Sequence, residues 1–100
     1  MKTTINEIEG KYVATLEGEM DTPSALEADI VLQPLYTPEG KDIIFDCTRL
    51  EYIASSGLRV LLGILKSAKA SGSHVVLRGV NEDIKSVLKL TGFISIFEFE

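Results

Sequence analysis

The sequence predicts an α/β fold in which an N-terminal β-hairpin leads into a mostly parallel sheet of about five strands, with about three main helices. Short apolar runs typical of buried strands alternate with segments of helical period. This strand–helix–strand order implies right-handed crossovers between parallel strands. One hundred residues suffice for one modest core, so we expect residues 1–100 to form a single domain.

The first two strands are predicted on either side of Gly10-Lys11, a pair that suits a two-residue turn with glycine in its first position. In the second strand, Tyr12, Ala14 and Leu16 share one face because side chains alternate along a strand. We therefore expect an antiparallel hairpin at the start of the chain.

A change of hydrophobic period after Met20 predicts the first helix. Asp21 or Thr22 can cap it, and Pro23 suits the first helical position because its missing N–H would have no partner there. A proline that follows shortly after Leu32 predicts the end of the helix near that residue. The short apolar stripe of this helix consists of Leu26, Ile30 and Val31.

Two buried strands and two further helices follow. The runs "DIIFDC" at residues 42–47 and "HVVLR" at residues 74–78 each predict a short buried strand. Between them, residues 56–70 have the spacing of a helix. The stripe of that helix consists of Leu58, Leu61, Leu62, Leu65 and Ala68. Asn81 caps a third helix that ends at Gly92, and "SIFEFE" closes the sheet.

Parallel sheets bind ligands and partners where the carboxyl ends of strands meet the amino ends of helices. Two predicted loops share this edge of the sheet. One holds Asp21 and Thr22, and the other covers residues 46–57.

The serine pair in the second loop allows two interpretations. Ser55 can simply cap the second helix, with Ser56 and Gly57 as the first helical residues. However, the first turn carries no acid, Gly57 permits close approach of another group, and Arg59 lies one turn further, where it can pair with an added anion. The second interpretation is an exposed hydroxyl that tolerates a phosphate.

Composition excludes several classes of function. A net charge of −5 without a dense Lys/Arg cluster argues against direct nucleic-acid binding, so we expect protein partners. No apolar window is long enough to span a membrane, and the N-terminus lacks a signal-peptide core. Together with the lone Cys47, this favours a reducing, cytoplasmic setting.

The sequence offers few residue combinations that could support enzyme catalysis. The only histidine, His74, begins a strand and is expected at the opposite edge of the sheet from the serines. A serine nucleophile would therefore lack a base, and no metal site or cofactor is indicated. We expect no catalytic activity.

Three segments resemble the STAS-domain anti-sigma factor antagonists: "GEMDTPSA" at residues 18–25, "IIFDCTRLEYIASSGLRVLLGILKSAKASG" at residues 43–72, and "LKLTGF" at residues 88–93. The resemblance covers essentially the whole chain and implies a single STAS-like domain. Members of this family bind an anti-sigma factor with serine kinase activity while unphosphorylated, which frees the sigma factor for transcription. The kinase then phosphorylates a serine, and a serine phosphatase reverses the step.

Carried over by position, the resemblance makes Ser55 the phosphorylated residue, with Ser56 as the second choice. Asp21 matches the family's acidic loop residue, and Asp46 matches the aspartate that ends the central strand. The implied partner-binding surface consists of Asp21, Thr22, Ala54, Ser55, Ser56, Gly57 and Arg59.

One departure from the family motif leaves alternatives open. The aspartate that precedes the serine in the family is Ala54 here, and Arg59 replaces a small residue. This allows slower phosphorylation, a different kinase or a member that only binds. It also allows a STAS module of another complex, stressosome-like or transport-associated, without a sigma factor. We expect a monomer or weak dimer.

Overall fold

A computed structural model describes residues 1–100 as a five-stranded sheet in the order β1-β2-β3-β4-β5, covered by helices. The strands are β1 Lys2–Ile8, β2 Lys11–Met20, β3 Ile43–Ile53, β4 Val75–Arg78 and β5 Glu98–Phe99. The main helices are α1 Thr22–Val31, α2 Ser55–Ala70 and α3 Glu82–Thr91, and 3₁₀ turns cover Gln33–Tyr36 and Phe93–Ser95. Only β1 and β2 pair antiparallel, which confirms the predicted fold class.

The hairpin turn lies one residue earlier than predicted. Ile8 pairs with Lys11, so the turn consists of Glu9 and Gly10. Both residues have positive φ angles, 51° and 77°, as a type I′ turn requires. The glycine is thus the second residue of the turn and not the first. The twist of the two strands favours a type I′ turn, in which both central residues are left-handed.

Strand β3 is almost twice as long as the predicted run, which corrects the expectation of a loop over residues 46–57. It continues beside β2 until Ile53 pairs with Met20. Asp46 lies within the strand, and hydrogen bonds from the hydroxyl and the amide of Thr48 lower its pKa. Ile53 lies seven positions after Asp46 along the strand, roughly 20 Å away, so Asp46 is far from the start of α2.

The face of helix α1 that packs against the core lies opposite the apolar stripe identified in the sequence. Ala25 and Ala28 are buried, whereas Leu26, Ile30 and Val31 are exposed. Small side chains on the inner face allow α1 to pack closely against α2 and β2. The apolar stripe of the sequence is therefore not the buried face of α1.

The remaining helices confirm the predicted patterns. In α2, Leu58, Leu61, Leu65 and Ala68 are buried, with Ile64 in addition and Leu62 only half-buried. Asn81 caps α3 by accepting a hydrogen bond from the Ile84 amide, and Gly92 ends it with a φ angle of 78°. These elements join the sheet in a single apolar core. None of the helices is both long and apolar enough to cross a membrane.

Candidate functional site

The carboxyl ends of β2 and β3 place the starts of α1 and α2 side by side. Met20 ends β2 and pairs with Ile53, which ends β3. The amide of Ala54, the single residue between β3 and α2, donates to the Met20 carbonyl at 2.9 Å. The starts of α1 and α2 therefore meet at one edge, which we call the serine edge and define as Asp21, Thr22, Ala54, Ser55 and Ser56.

Ser55 is the first residue of α2 and does not cap it. The N-cap residue is Ala54, whose side chain cannot accept a hydrogen bond, so no side chain pairs with the amides of the first turn. Ser55 is exposed, and its hydroxyl makes no hydrogen bond within the chain. The interpretation of Ser55 as a simple cap is thus wrong.

Ser56 occupies a different environment from its neighbour. It is half-buried, and its hydroxyl donates to Thr22 Oγ1 at 3.2 Å. This contact ties the start of α2 to the start of α1. Of the two adjacent serines, only Ser55 therefore offers an unpaired hydroxyl to solvent.

Asp21 places a negative charge on the serine edge. It is the N-cap of α1, and its Oδ1 accepts from the Ser24 amide at 2.9 Å. This hydrogen bond lowers the pKa of the Asp21 carboxyl, so it is ionised at neutral pH. An anion added at Ser55 therefore joins an edge that already carries a carboxylate.

Gly57 is buried, which corrects its assignment to a partner-binding surface. A Cβ at this position would lie 2.8 Å from Ile53 Cγ1 and 3.0 Å from Met20 Sδ. A larger residue would have to displace these two side chains, because the first turn of α2 packs directly on the ends of β2 and β3. The residue positions the serine edge and does not form part of its surface.

Arg59 lies four residues after Ser55 and therefore on the same face of α2. It is exposed and forms no ion pair within the chain. The Arg59 guanidinium and the unpaired amides of the first turn are the positive groups that an anion at this edge can contact.

The model of the STAS domain matches residues 2–100. The chain belongs to the STAS domain family. A curated relative of Bordetella bronchiseptica, BtrV, whose name describes it as an anti-sigma factor antagonist by assignment, is 31% identical over 97% of this chain and 84% of its own length. These matches confirm the family inferred from the three segments of the sequence.

Solved structures share the fold of this STAS domain. A protein of Thermotoga maritima described as an anti-sigma factor antagonist aligns with a TM-score of 0.86 and 24% identity, over 97% of this chain and 84% of its own. SpoIIAA, an anti-sigma factor antagonist, aligns in its unphosphorylated form with a TM-score of 0.77 and 17% identity, over 99% and 87% of the two chains. The phosphorylated form of SpoIIAA from Bacillus aligns with a TM-score of 0.75 and 18% identity, over 99% of this chain and 91% of its own.

The histidine of this STAS domain lies away from the serine edge, as predicted. His74 precedes β4, where its amide donates to Asp42 and its ring contacts Glu98 at 3.2 Å. That position is at the opposite edge of the sheet from Ser55, because parallel strands begin there. The serine edge therefore has no imidazole beside its hydroxyl groups.

Sequence reasoning missed two features of this part of the molecule, and the first is the role of Thr22 as hydrogen-bond acceptor for Ser56. It identified both residues but placed them in separate loops without a contact. The exposed apolar residues of α1, which begin one helical turn from Thr22, were also missed as a surface. Their only signal was a mismatch in size, with large residues on one side of the helix and alanines on the other.

Proposed function

We propose that this STAS domain is an anti-sigma factor antagonist that binds an anti-sigma factor with serine kinase activity while Ser55 is unmodified. Phosphorylation of Ser55 releases the partner, and a serine phosphatase restores binding. The observation that carries the proposal is the Ser55 hydroxyl, exposed and without a hydrogen bond at the uncapped start of α2. The domain acts by binding and has no catalytic role of its own.

Chemistry favours Ser55 over Ser56 as the phosphate acceptor. In the transfer, a bond forms between the serine oxygen and the terminal phosphorus of ATP as the bond to the departing ADP breaks. The oxygen must therefore be reachable in line with that bond. Ser55 Oγ meets this condition without rearrangement, whereas Ser56 must first give up its hydrogen bond to Thr22.

Electrostatics at the interface supplies the switch. Phosphate adds about −1.5 to −2 charges and three acceptor oxygens to an edge that also holds the ionised Asp21. In the free protein, solvent, the first-turn amides and Arg59 accommodate that charge. Against a docked partner it loses this solvation and meets a surface shaped for a neutral hydroxyl. A change in the ratio of bound to free protein from 99:1 to 1:99 requires a loss of about 5.5 kcal/mol in binding free energy. One poorly solvated dianion at the interface is enough to cause a loss of this size.

A second candidate function is a STAS module of another assembly, stressosome-like or transport-associated. Ala54 favours it, because the chain lacks the carboxylate that precedes the serine in the family motif. In that case the serine edge docks a partner without a sigma factor in the circuit.

The test compares wild type with Ser55→Ala, Ser55→Asp and Ser56→Ala as baits in native lysate, followed by intact-mass measurement of each bait. We expect a kinase-like partner with wild type, Ser55→Ala and Ser56→Ala, and its loss with Ser55→Asp. The mass of one added phosphoryl group should appear on wild type and Ser56→Ala but not on Ser55→Ala. Identical partners on all four baits, without phosphorylation, would contradict the proposal.

A further inference from the structure

The solvent-facing side of α1 carries the largest apolar side chains of that helix. Leu26 is 68% exposed, Ile30 74% and Val31 43%, and we call these three residues the α1 stripe. A single exposed apolar residue is ordinary. Leu26 and Ile30, however, lie four residues apart on one helical face and therefore form a continuous apolar surface. Such surfaces mark interaction sites.

The α1 stripe is continuous with the serine edge. Thr22 lies four residues before Leu26 on the same face of α1, and its hydroxyl accepts the hydrogen bond from Ser56. Leu26 is thus about 6 Å along the helix axis from Thr22, and Ile30 about 12 Å. A specific protein interface covers about 800 Å² on each partner, which exceeds the area of a few serine-edge residues. A protein docked over Ser55 therefore extends onto a neighbouring surface, and α1 is adjacent.

Charge distinguishes between the proteins that can cover the α1 stripe. Helix α1 and its cap contain three acids, Asp21, Glu27 and Asp29, and no basic residue. A second copy of this chain, with its net charge of −5, would bring the same acids together across an α1–α1 contact. A partner with apolar side chains at the centre and Lys or Arg at the edge matches this surface instead.

We infer that the α1 stripe is part of the docking surface for the anti-sigma factor. Apolar side chains of that partner cover Leu26 and Ile30, and basic side chains face Asp21 and Glu27. The inference rests on the proposed function and divides the interface into two parts. The serine edge supplies the phosphate switch, and the α1 stripe supplies affinity that does not depend on phosphate.

The test uses the partner that unmodified protein retains and Ser55→Asp loses, produced in recombinant form and titrated by calorimetry. The variant is Leu26→Ser/Ile30→Ser, and the matched control is Leu90→Ser, because Leu90 on α3 is 89% exposed. We expect the Kd of the double variant to rise at least about tenfold, as for truncation of buried interface residues, and that of the control less than twofold. Glu27→Lys should also weaken binding, with a smaller dependence on salt.

Circular dichroism should give equal thermal midpoints for all these variants, since the replaced side chains are exposed. An unchanged Kd for Leu26→Ser/Ile30→Ser, with Ser55→Asp still defective, would overturn the inference and leave the proposed function intact. The absence of any Ser55-sensitive partner would overturn both. A third outcome is that wild type sediments as a dimer, that Leu26→Ser/Ile30→Ser abolishes this dimer, and that the affinity for the partner is unchanged. This outcome would assign the α1 stripe to a contact with a second copy of the chain and would also overturn the inference.

Discussion

Ala54 leaves the start of α2 without a capping side chain although its backbone has capping geometry. Its φ and ψ angles are −81° and 167°, the extended conformation of an N-cap residue. The equivalent positions before α1 and α3 hold Asp21 and Asn81, and both accept a hydrogen bond from an amide of the first turn. One methyl group at residue 54 thus keeps the first-turn amides of α2 available.

Ala54→Asp should raise the free energy of unfolding by about 1 kcal/mol, because the new carboxylate accepts from a free amide and favours the helix dipole. The measurement is urea denaturation followed by circular dichroism. Ala54→Asn is the matched control, and it should give most of the gain without the charge. A loss of stability in both variants would mean that the first-turn amides already have partners.

A second prediction at the level of single residues concerns the thiol of Cys47, which is buried. Burial raises its pKa to about 12, and the nearby Asp46 carboxylate adds to the shift. Ellman's reagent should therefore not react with native protein at pH 8–9, and it should react fully in guanidinium chloride. Because the folded pKa lies above the ordinary value, this thiol's contribution to stability is complete below about pH 9 and is lost as the pH rises towards 12. Rapid native labelling would contradict the described burial.

At the scale of elements, alternation and period predicted the order of strands and helices, and the structure confirms it. The extension of β3 was not predictable from period, because Thr48-Arg49 and Glu51-Tyr52 are exposed pairs that break the alternation. They remain in the strand because β2 continues beside them through two irregularities in register.

The face of α1 was missed for another physical reason. Hydrophobicity ranks leucine and isoleucine above alanine, whereas close packing of one helix on another selects small side chains. Serine-edge residues were identified because turn chemistry and the family motif are local in sequence. The contacts between the two loops were not, since they depend on the register of β2 with β3.

Gly57→Ala should reduce the free energy of unfolding by about 1–2 kcal/mol. Alanine favours the helix, but its Cβ would overlap Ile53 within a close-packed junction, and overpacking costs more than helix propensity returns. Chemical denaturation checks this, with Ser55→Ala in the same turn as the control, expected within about 0.5 kcal/mol of wild type. Increased stability of Gly57→Ala would contradict the close contact between α2 and the strand ends.

At the scale of the whole molecule, phosphorylation of Ser55 should leave the fold unchanged. The hydroxyl faces solvent, and no hydrogen bond has to break for a phosphate to be added. Amide NMR spectra of both forms should differ at the starts of α1 and α2 and coincide in β4, β5 and α3. Shifts spread through the sheet would contradict a switch that acts by blocking the interface.

The central claim is that one exposed hydroxyl controls partner binding. The most direct measurement is the Kd of the purified anti-sigma factor for unmodified protein and for protein phosphorylated at Ser55, with mass spectrometry confirming the site. The account predicts weakening by at least about a hundredfold, equivalent to roughly 2.7 kcal/mol. Equal affinity for the two forms would contradict it.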